Sequence, residues 1–257
     1  TCANAYVRPM MESYLSRLAD RRAQQGAACP IFLMHSGGGI VSIDTAATFP
    51  VRLVESGPAG GAIFAADVAR RHGLSRVLSF DMGGTTAKIC LIRDGAPKTA
   101  RVFEVARSWR FKKGSGMPIS IPVIDMVEIG AGGGSLAHVD GLGRIQVGPE
   151  SAGSEPGPAA YGRGGERPAV TDADLTLGRL DPANFAGGSI PLHPDRATAA
   201  LRAHVGDRLS LDPVQAAFGV SEMVDENMAN AARVHAVENG EDLAGFTMIA
   251  FGGAAPL

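Results

Sequence analysis

A short apolar segment, Val77-Leu78-Ser79-Phe80, runs into Asp81-Met82-Gly83-Gly84-Thr85-Thr86 and leaves as a second apolar segment, Ala87-Lys88-Ile89-Cys90-Leu91-Ile92. Arg93-Asp94-Gly95-Ala96 then turns the chain. Two strand-like segments this close in sequence pair as a β-hairpin, so a sheet must form around them. An ordinary glycine-rich hairpin turn is the simplest reading of the connection. Its polarity and length exceed those of a minimal turn. Glycines let backbone N–H groups approach an anion, the threonine hydroxyls add donors, and a carboxylate at a strand end can hold Mg²⁺ beside phosphate oxygens. The loop is therefore read as a phosphate cradle.

Other glycine-rich turns follow strand-like segments. Pro30 to His35 reads as a buried strand and Ser36-Gly37-Gly38-Gly39 as a tight loop. Histidine before glycines also occurs in esterase oxyanion loops, but the chain has no Gly-x-Ser-x-Gly elbow. His35 is read as a strand-end residue near a ligand. Val51 to Glu55 reads as a strand, and Ser56-Gly57-Pro58-Ala59-Gly60-Gly61 as a loop entering a helix over Ala62 to His72. Such a loop can bind an anion at the helix N-terminus, or its small residues can serve close packing. Lys98 to Val105 and Ile119 to Ile129 read as further strands, the latter ending in Gly130-Ala131-Gly132-Gly133-Gly134-Ser135. Leu136 to Asp140 and Arg144 to Val147 read as a second hairpin, and Phe246 to Phe251 as a strand before Gly252-Gly253. None of these loops matches Gly-x-Gly-x-x-Gly or a Walker A loop, which disfavours Rossmann and P-loop sites.

The helical stretches are Ala5 to Gln25, Pro194 to His204 and a long one starting at Asp212-Pro213 and stopped by Asn239-Gly240. The first has an apolar face of Tyr6, Met10, Tyr14 and Leu18, with Val7, Met11 and Leu15 alongside. The long helix presents Val214, Phe218, Val224, Ala231 and Val234. Thr171 is read as the cap of a short helix, Ala173 to Leu180, with Asp174 in its first turn; this structural role is favoured over metal binding for Asp172 and Asp174. Gly148 to Gly165 is a long Gly/Pro/Ser-rich loop, functional or exposed. The basic connection over residues 107 to 116 reads as a solvated loop, or as a cover for an anionic substrate.

Several classes are excluded on composition. A net charge of −2 with no long basic run leaves no electrostatic footprint for nucleic acid. Three widely spaced cysteines fit a reducing, cytoplasmic setting rather than a disulfide framework. No apolar run is long enough to span a bilayer, and the six histidines lack zinc-ligand spacing. Both ends read as cut from a longer polypeptide.

Taken in order, the Ser56–Gly61, Phe80–Thr86 and Gly130–Ser135 segments, then Val147-Gly148-Pro149-Glu150-Ser151-Ala152-Gly153, Val170-Thr171-Asp172-Ala173-Asp174-Leu175 and Phe251-Gly252-Gly253-Ala254-Ala255-Pro256-Leu257, resemble the hydantoinase A/oxoprolinase family across essentially the whole chain. That family includes N-methylhydantoinase, 5-oxoprolinase and the acetone and acetophenone carboxylases. The resemblance implies an α/β fold of the actin-like, sugar-kinase-like (ribonuclease H-like) ATPase type, here partial. The chain would form one hydantoinase A/oxoprolinase domain over residues 1–257, a central fragment. ATP and Mg²⁺ are the implied cofactors.

On that resemblance Asp81 is the catalytic and metal-holding acid. Gly83, Gly84, Thr85 and Thr86 bind phosphate; Lys88 stands where many members carry Asp and could contact phosphate. Gly132, Gly133, Gly134 and Ser135 line the nucleotide site, and Gly252 and Gly253 form the adenosine-contacting turn. Ala255 departs from the usual glycine of that turn. The implied reaction is ATP-dependent opening of a cyclic amide such as hydantoin or 5-oxoproline. A ketone carboxylase and a non-catalytic nucleotide-binding assembly domain are the alternatives. Expected partners are a small cyclic amide or ketone, the remaining parts of the same polypeptide and a hydantoinase B-like companion subunit, with no nucleic acid or membrane.

Overall fold

The computed structural model describes residues 1–27, 29–106, 108 and 114–254. Most of the basic connection over 107–116, and residues 255–257 of the last glycine turn, lie outside the described residues. The chain divides into two units: Thr1–Ser79 with Cys90–Met126, and Phe80–Ile89 with Val127–Leu257.

The first unit opens with helix α1, Cys2–Gln24. Its buried residue is Leu15, at 1% exposure, while Tyr6, Met10 and Tyr14 are 88%, 69% and 50% exposed. The apolar residues form two adjacent helical stripes, and packing selects the one through Leu15. Strands β1, Phe32–Met34, and β2, Ile40–Ser42, form an antiparallel pair. His35 closes their turn: its Nδ1 accepts the Gly37 N–H at 3.0 Å, and its backbone N–H donates to Gly39 O at 2.9 Å. The imidazole thus has a local structural use. Helix α2, Ile43–Thr48, follows, capped by the Ser42 hydroxyl.

Two expectations fail here. The Val51–Glu55 segment is not a strand, because Pro50 starts a 3₁₀ turn over Pro50–Leu53. The Ser56–Gly61 segment is not a loop either: helix α3 spans Ser56–Arg71, with Pro58 in its first turn, where no intrahelical N–H bond is lost. Ala59, Ala62, Ala65, Ala66 and Ala69 are buried along it, so the small residues serve close packing.

Strands β3, Arg76–Met82, and β4, Ala87–Arg93, are the predicted hairpin. Asp81 and Met82 lie inside β3, which shortens the connection to 83–86. The unit boundary cuts across both strands. Strand β5, Ala96–Pro97, pairs with the outer end of β4. The long strands expected over Lys98–Val105 and Ile119–Ile129 are broken. They become β6, Thr99–Ala100; β7, Phe103–Val105; β8, Met117–Ile119; β9, Val123–Ile124; and β10, Met126–Ile129. Strand β6 pairs with β9 and β7 with β8; Pro122 falls between the short ladders, while Pro118 sits mid-ladder opposite Glu104 in the three-residue β7–β8 pair.

In the second unit, the loop-proximal ends of β3 and β4 lie between β10 and β13, Thr247–Phe251, in the order β10-β4-β3-β13. Strands β11, Ser135–Val139, and β12, Ile145–Ser151, form a bulged antiparallel hairpin. Helix α4, Val170–Thr176, starts three residues earlier than expected. Helix α5, Pro194–Leu201, continues through a π turn at Arg202–Gly206 into α6, Asp207–Leu209. Helix α7, Pro213–Glu238, has the expected N-terminus: Asp212 Oδ1 accepts the Val214 and Gln215 N–H groups, and the Gln215 side chain returns the contact. Its buried face runs through Ala217, Val220, Val224, Met228 and Ala231, not through Val214 and Phe218, which are 57% and 55% exposed. Alanines on that face admit close packing against α4.

Candidate functional site

The site is assembled within the second unit from three loops that a distance in sequence keeps apart. At the tip of the hairpin the Gly83 N–H donates to Thr86 O at 3.0 Å, which closes the turn. The carbonyls of Gly83 and Gly84 point the other way and accept from the Gly133 N–H at 3.1 Å and the Gly134 N–H at 2.6 Å. The second glycine loop therefore braces the first. Gly132 must be glycine for this approach: a Cβ there would lie 2.5 Å from Gly83 O and 2.9 Å from Thr85 N. Ser135 completes the brace, its buried hydroxyl accepting the Gly132 N–H at 2.9 Å.

The third loop sits against the other side of the tip. The Ala254 N–H donates to Met82 O at 2.9 Å. Gly252 has φ +105°, and a Cβ there would lie 2.6 Å from Asp81 Oδ1 and against the Met82 carbonyl. Asp81 is partly buried; burial pushes its carboxyl above the ordinary carboxylate range, and the Lys88 ammonium opposes this. Lys88 is turned to Glu128, with Nζ 3.1 Å from Oε1, and also donates to Thr86 Oγ1 at 3.4 Å. It supports the threonine from behind.

Hydrogen-bond accounting separates these residues. The N–H groups of Gly133 and Gly134 are used on protein carbonyls, and that of Gly132 on Ser135. Those of Gly84 and Thr85 take no partner among the described residues. Backbone donors of this kind are obligatory hydrogen-bonding groups, and both residues line a cavity of about 520 Å³. Gly133, Gly134, Gly253 and Ala254 line it with them. That volume lies in the range of small-molecule sites.

Tyr161, Arg163 and Phe185, with Ser154 and Ile190, complete the lining, and no sequence motif points to them. The only signal was the long Gly/Pro-rich loop of which residues 154–163 are part. One helix start ties parts of the lining together. Thr171 donates from both N and Oγ1 to Gly133 O, each at 2.8 Å. The adjacent Asp172, fully buried, accepts from the N–H groups of Ala160 and Ala169 at 2.7 Å and Ala159 at 3.3 Å. Burial pushes its carboxyl up to about 6, against the pull of those three donors. Thr171 is thus inside the helix, not its cap, and Asp172 satisfies the free N-terminal donor. Asp174 pairs with Arg179, Oδ1 to Nη1 at 3.0 Å, and the same nitrogen donates to Ser221 Oγ at 2.7 Å. Both acids have structural partners, and among the described residues no cluster of three metal-ligating side chains occurs. No helix of the described residues is long and apolar enough to cross a membrane.

A strand–glycine loop–strand unit with two unpartnered backbone donors and an acid at its base, set in a mixed α/β sheet, has the donor arrangement that anion-binding loops use. The sequence profile described as Hydantoinase/oxoprolinase matches residues 1–257. The chain belongs to the hydantoinase/oxoprolinase family. It is 36% identical over 255 residues to the caprolactamase subunit alpha of Pseudomonas jessenii, covering 99% of this chain and 35% of the relative. The crystal structure of the ATP-dependent caprolactamase from that organism superposes with a TM-score of 0.74 at 35% identity, covering 97% of this chain and 34% of the other. A nucleotide-free acetone carboxylase structure, described for the mechanism of ATP-dependent acetone carboxylation, gives a TM-score of 0.81 at 30% identity, covering 94% and 33%. The mixed α/β fold is shared with these enzymes, consistent with the actin-like ATPase fold. The chain spans about a third of the length of these relatives.

Proposed function

We propose that the protein containing this chain is an ATP-dependent hydrolase of cyclic amides, with hydantoin- or 5-oxoproline-like rings as substrates. The observation that carries the reading is the pair of N–H groups at Gly84 and Thr85 that take no partner among the described residues, on two residues that line a cavity and are braced by two further glycine loops. Donors fixed in this way stabilise phosphate charge without reorganising. Gly83, Gly84, Thr85 and Thr86 would hold the phosphates by backbone and hydroxyl donors. Gly252 and Gly253 would lie along the adenosine side. Gly132, Gly133, Gly134 and Ser135 would act mainly by holding the tip in place.

Asp81 would hold Mg²⁺ or orient the attacking water. A single carboxylate matches a Mg²⁺ ion bound chiefly by water and phosphate oxygens. ATP supplies a phosphoryl group that makes the amide carbonyl a better electrophile toward water, so positioning and charge neutralisation are what the protein must provide. The caprolactamase relative, described as ATP-dependent, supports the cyclic-amide class. Ketone carboxylation is the second reading, favoured by the TM-score of 0.81 to the acetone carboxylase. The remaining polypeptide and a companion subunit would complete the enzyme; the caprolactamase relative is itself named as a subunit. A reducing cytoplasmic setting suits the exposed Cys2 and Cys29 thiols.

Calorimetric titration of the full-length protein with Mg·ATP and Mg·ADP, wild type against Asp81→Ala, tests nucleotide binding at this loop. ATP turnover dependent on a cyclic amide, and not on a ketone with bicarbonate, supports the hydrolase. The reverse dependence sinks it in favour of the carboxylase.

A further inference from the structure

We propose that Arg163 clamps the terminal phosphate of a nucleoside triphosphate in the cavity that it lines together with Gly84 and Thr85. The inference rests on the nucleotide reading above and assigns a residue that the motif pattern does not reach. Among the described residues Arg163 is the one charged side chain lining the 520 Å³ cavity, with no Asp or Glu beside it in that lining. A cavity lined by residues with partnerless N–H donors and by a guanidinium offers donors that suit an anion of more than one oxygen.

The guanidinium is also poised rather than spent. In this unit Arg144, Arg167, Arg179 and Arg233 each take a carboxylate, from Asp140, Glu150, Asp174 and Glu226. Among the described residues Arg163, like Arg196, Arg202 and Arg208, takes none, and of these four it is the one that lines the cavity. Its contact is with the Tyr161 ring, 5.9 Å from the centroid, which leaves its fork of N–H donors open. Tyr161 in turn packs on Phe185, with ring centroids 5.8 Å apart.

The backbone that leads to Arg163 is tied to the glycine loops. The Ala159–Tyr161 turn donates two N–H groups to the buried Asp172 carboxylate, and neighbouring Thr171 holds Gly133 O. One helix start thus holds both the turn that precedes Arg163 and the glycine loop that braces the hairpin tip. A guanidinium that shares a cavity with a phosphate loop meets the terminal phosphate, where negative charge has to be balanced during transfer.

The test is calorimetric titration of the full-length protein with the Mg²⁺ complexes of ADP and of a non-hydrolysable ATP analogue. Wild type is compared with Arg163→Gln and Arg163→Lys. Thermal unfolding without ligand serves as the folding control, since Arg163 is exposed. Arg163→Gln should weaken the triphosphate analogue about tenfold or more while leaving ADP nearly unchanged. Arg163→Lys, which keeps the charge and loses the fork, should fall between. Equal loss for both nucleotides, or no loss for either, overturns the assignment while the nucleotide reading stands. Wild-type protein that binds neither nucleotide removes the nucleotide reading, and this inference with it. If triphosphate binding is unchanged and only the KM of a carboxylate-bearing substrate rises, Arg163 serves the substrate and the assignment is wrong.

Discussion

Two adjacent glycines, Gly252 and Gly253, should respond to the same substitution in opposite ways. Gly252 has φ +105°, a backbone conformation costing a residue with a Cβ about 1–3 kcal/mol. Its added methyl would also meet Asp81 Oδ1 at 2.6 Å and the Met82 carbonyl, neither being the end of a long flexible side chain. Relief requires the turn to move off β3, which removes the Ala254 N–H to Met82 O bond, worth about 1 kcal/mol. Gly252→Ala should therefore destabilise by about 2–4 kcal/mol. Gly253 has no positive φ, and a Cβ there meets nothing within 4 Å, so Gly253→Ala should stay within about 0.5 kcal/mol. Urea denaturation followed by far-UV circular dichroism measures both, with the midpoint lowered and the slope unchanged for Gly252→Ala only. Gly253 lines the cavity, so its methyl should reduce nucleotide affinity without the stability loss. Equal midpoints for the two variants would refute the account of the third loop as a close backbone contact behind Asp81.

Other perturbations address the ties behind the cavity and the buried acids. Thr171→Val removes the hydroxyl bond to Gly133 O in a buried site and should cost about 1–2 kcal/mol, measured by the same denaturation. The folded-state carboxyl of Asp172 is pushed up to about 6 from 3.8, so its protonated form favours the fold. Stability from this group is fully present below about 3.8 and falls by about 3 kcal/mol as pH rises to about 6. It is level above that, and the slope should shrink by this amount in Asp172→Asn when urea midpoints are compared across pH 4 to 7, the remainder coming from other raised carboxyls such as Asp81 and Asp174. Lys88→Met breaks a pair in which Glu128 is half-exposed and should change stability by less than about 1 kcal/mol. A loss of several kcal/mol would mean that Lys88 does more than brace Thr86. Cys90 is buried and its thiol is pushed up to about 12, whereas Cys2 and Cys29 are exposed. A thiol reagent at pH 8 should label the latter two in native protein, and Cys90 only in denaturant.

The hairpin, the three glycine loops and the start of α7 were legible in the sequence because each is a local event. Alternation of apolar segments with Gly-Gly-Thr-Thr fixes β3, the turn and β4, and Asp212-Pro213 with Gln215 fixes a helix start through bonds spanning three residues. The family resemblance joined Asp81, Gly130–Ser135 and Gly252-Gly253 into one site, and the structure brings them together by backbone bonds. The failures share a cause. Tyr6, Met10 and Tyr14 were expected inside and lie outside, as do Val214 and Phe218, because two apolar stripes on one helix differ only in what packs against them. The Ser56–Gly61 segment was expected to be a loop and is helix, because small residues are permissive alone and become helical where an alanine face packs closely.

The division of labour within the site follows the same line. Sequence alone determined that a glycine-rich, acid-based hairpin tip exists, since turn chemistry acts over a few bonds. Tertiary structure decided which of its N–H groups remain available. Gly133 and Gly134 use theirs on the tip, and Gly84 and Thr85, which line the cavity, keep theirs without a partner among the described residues. It also decided that Lys88 turns to Glu128, and that Arg163, 78 positions beyond Thr85 in the chain, shares a cavity with it. Hydrogen-bond donors are assigned by whichever carbonyl arrives within about 3 Å, and that depends on chain segments brought together only when the whole unit folds.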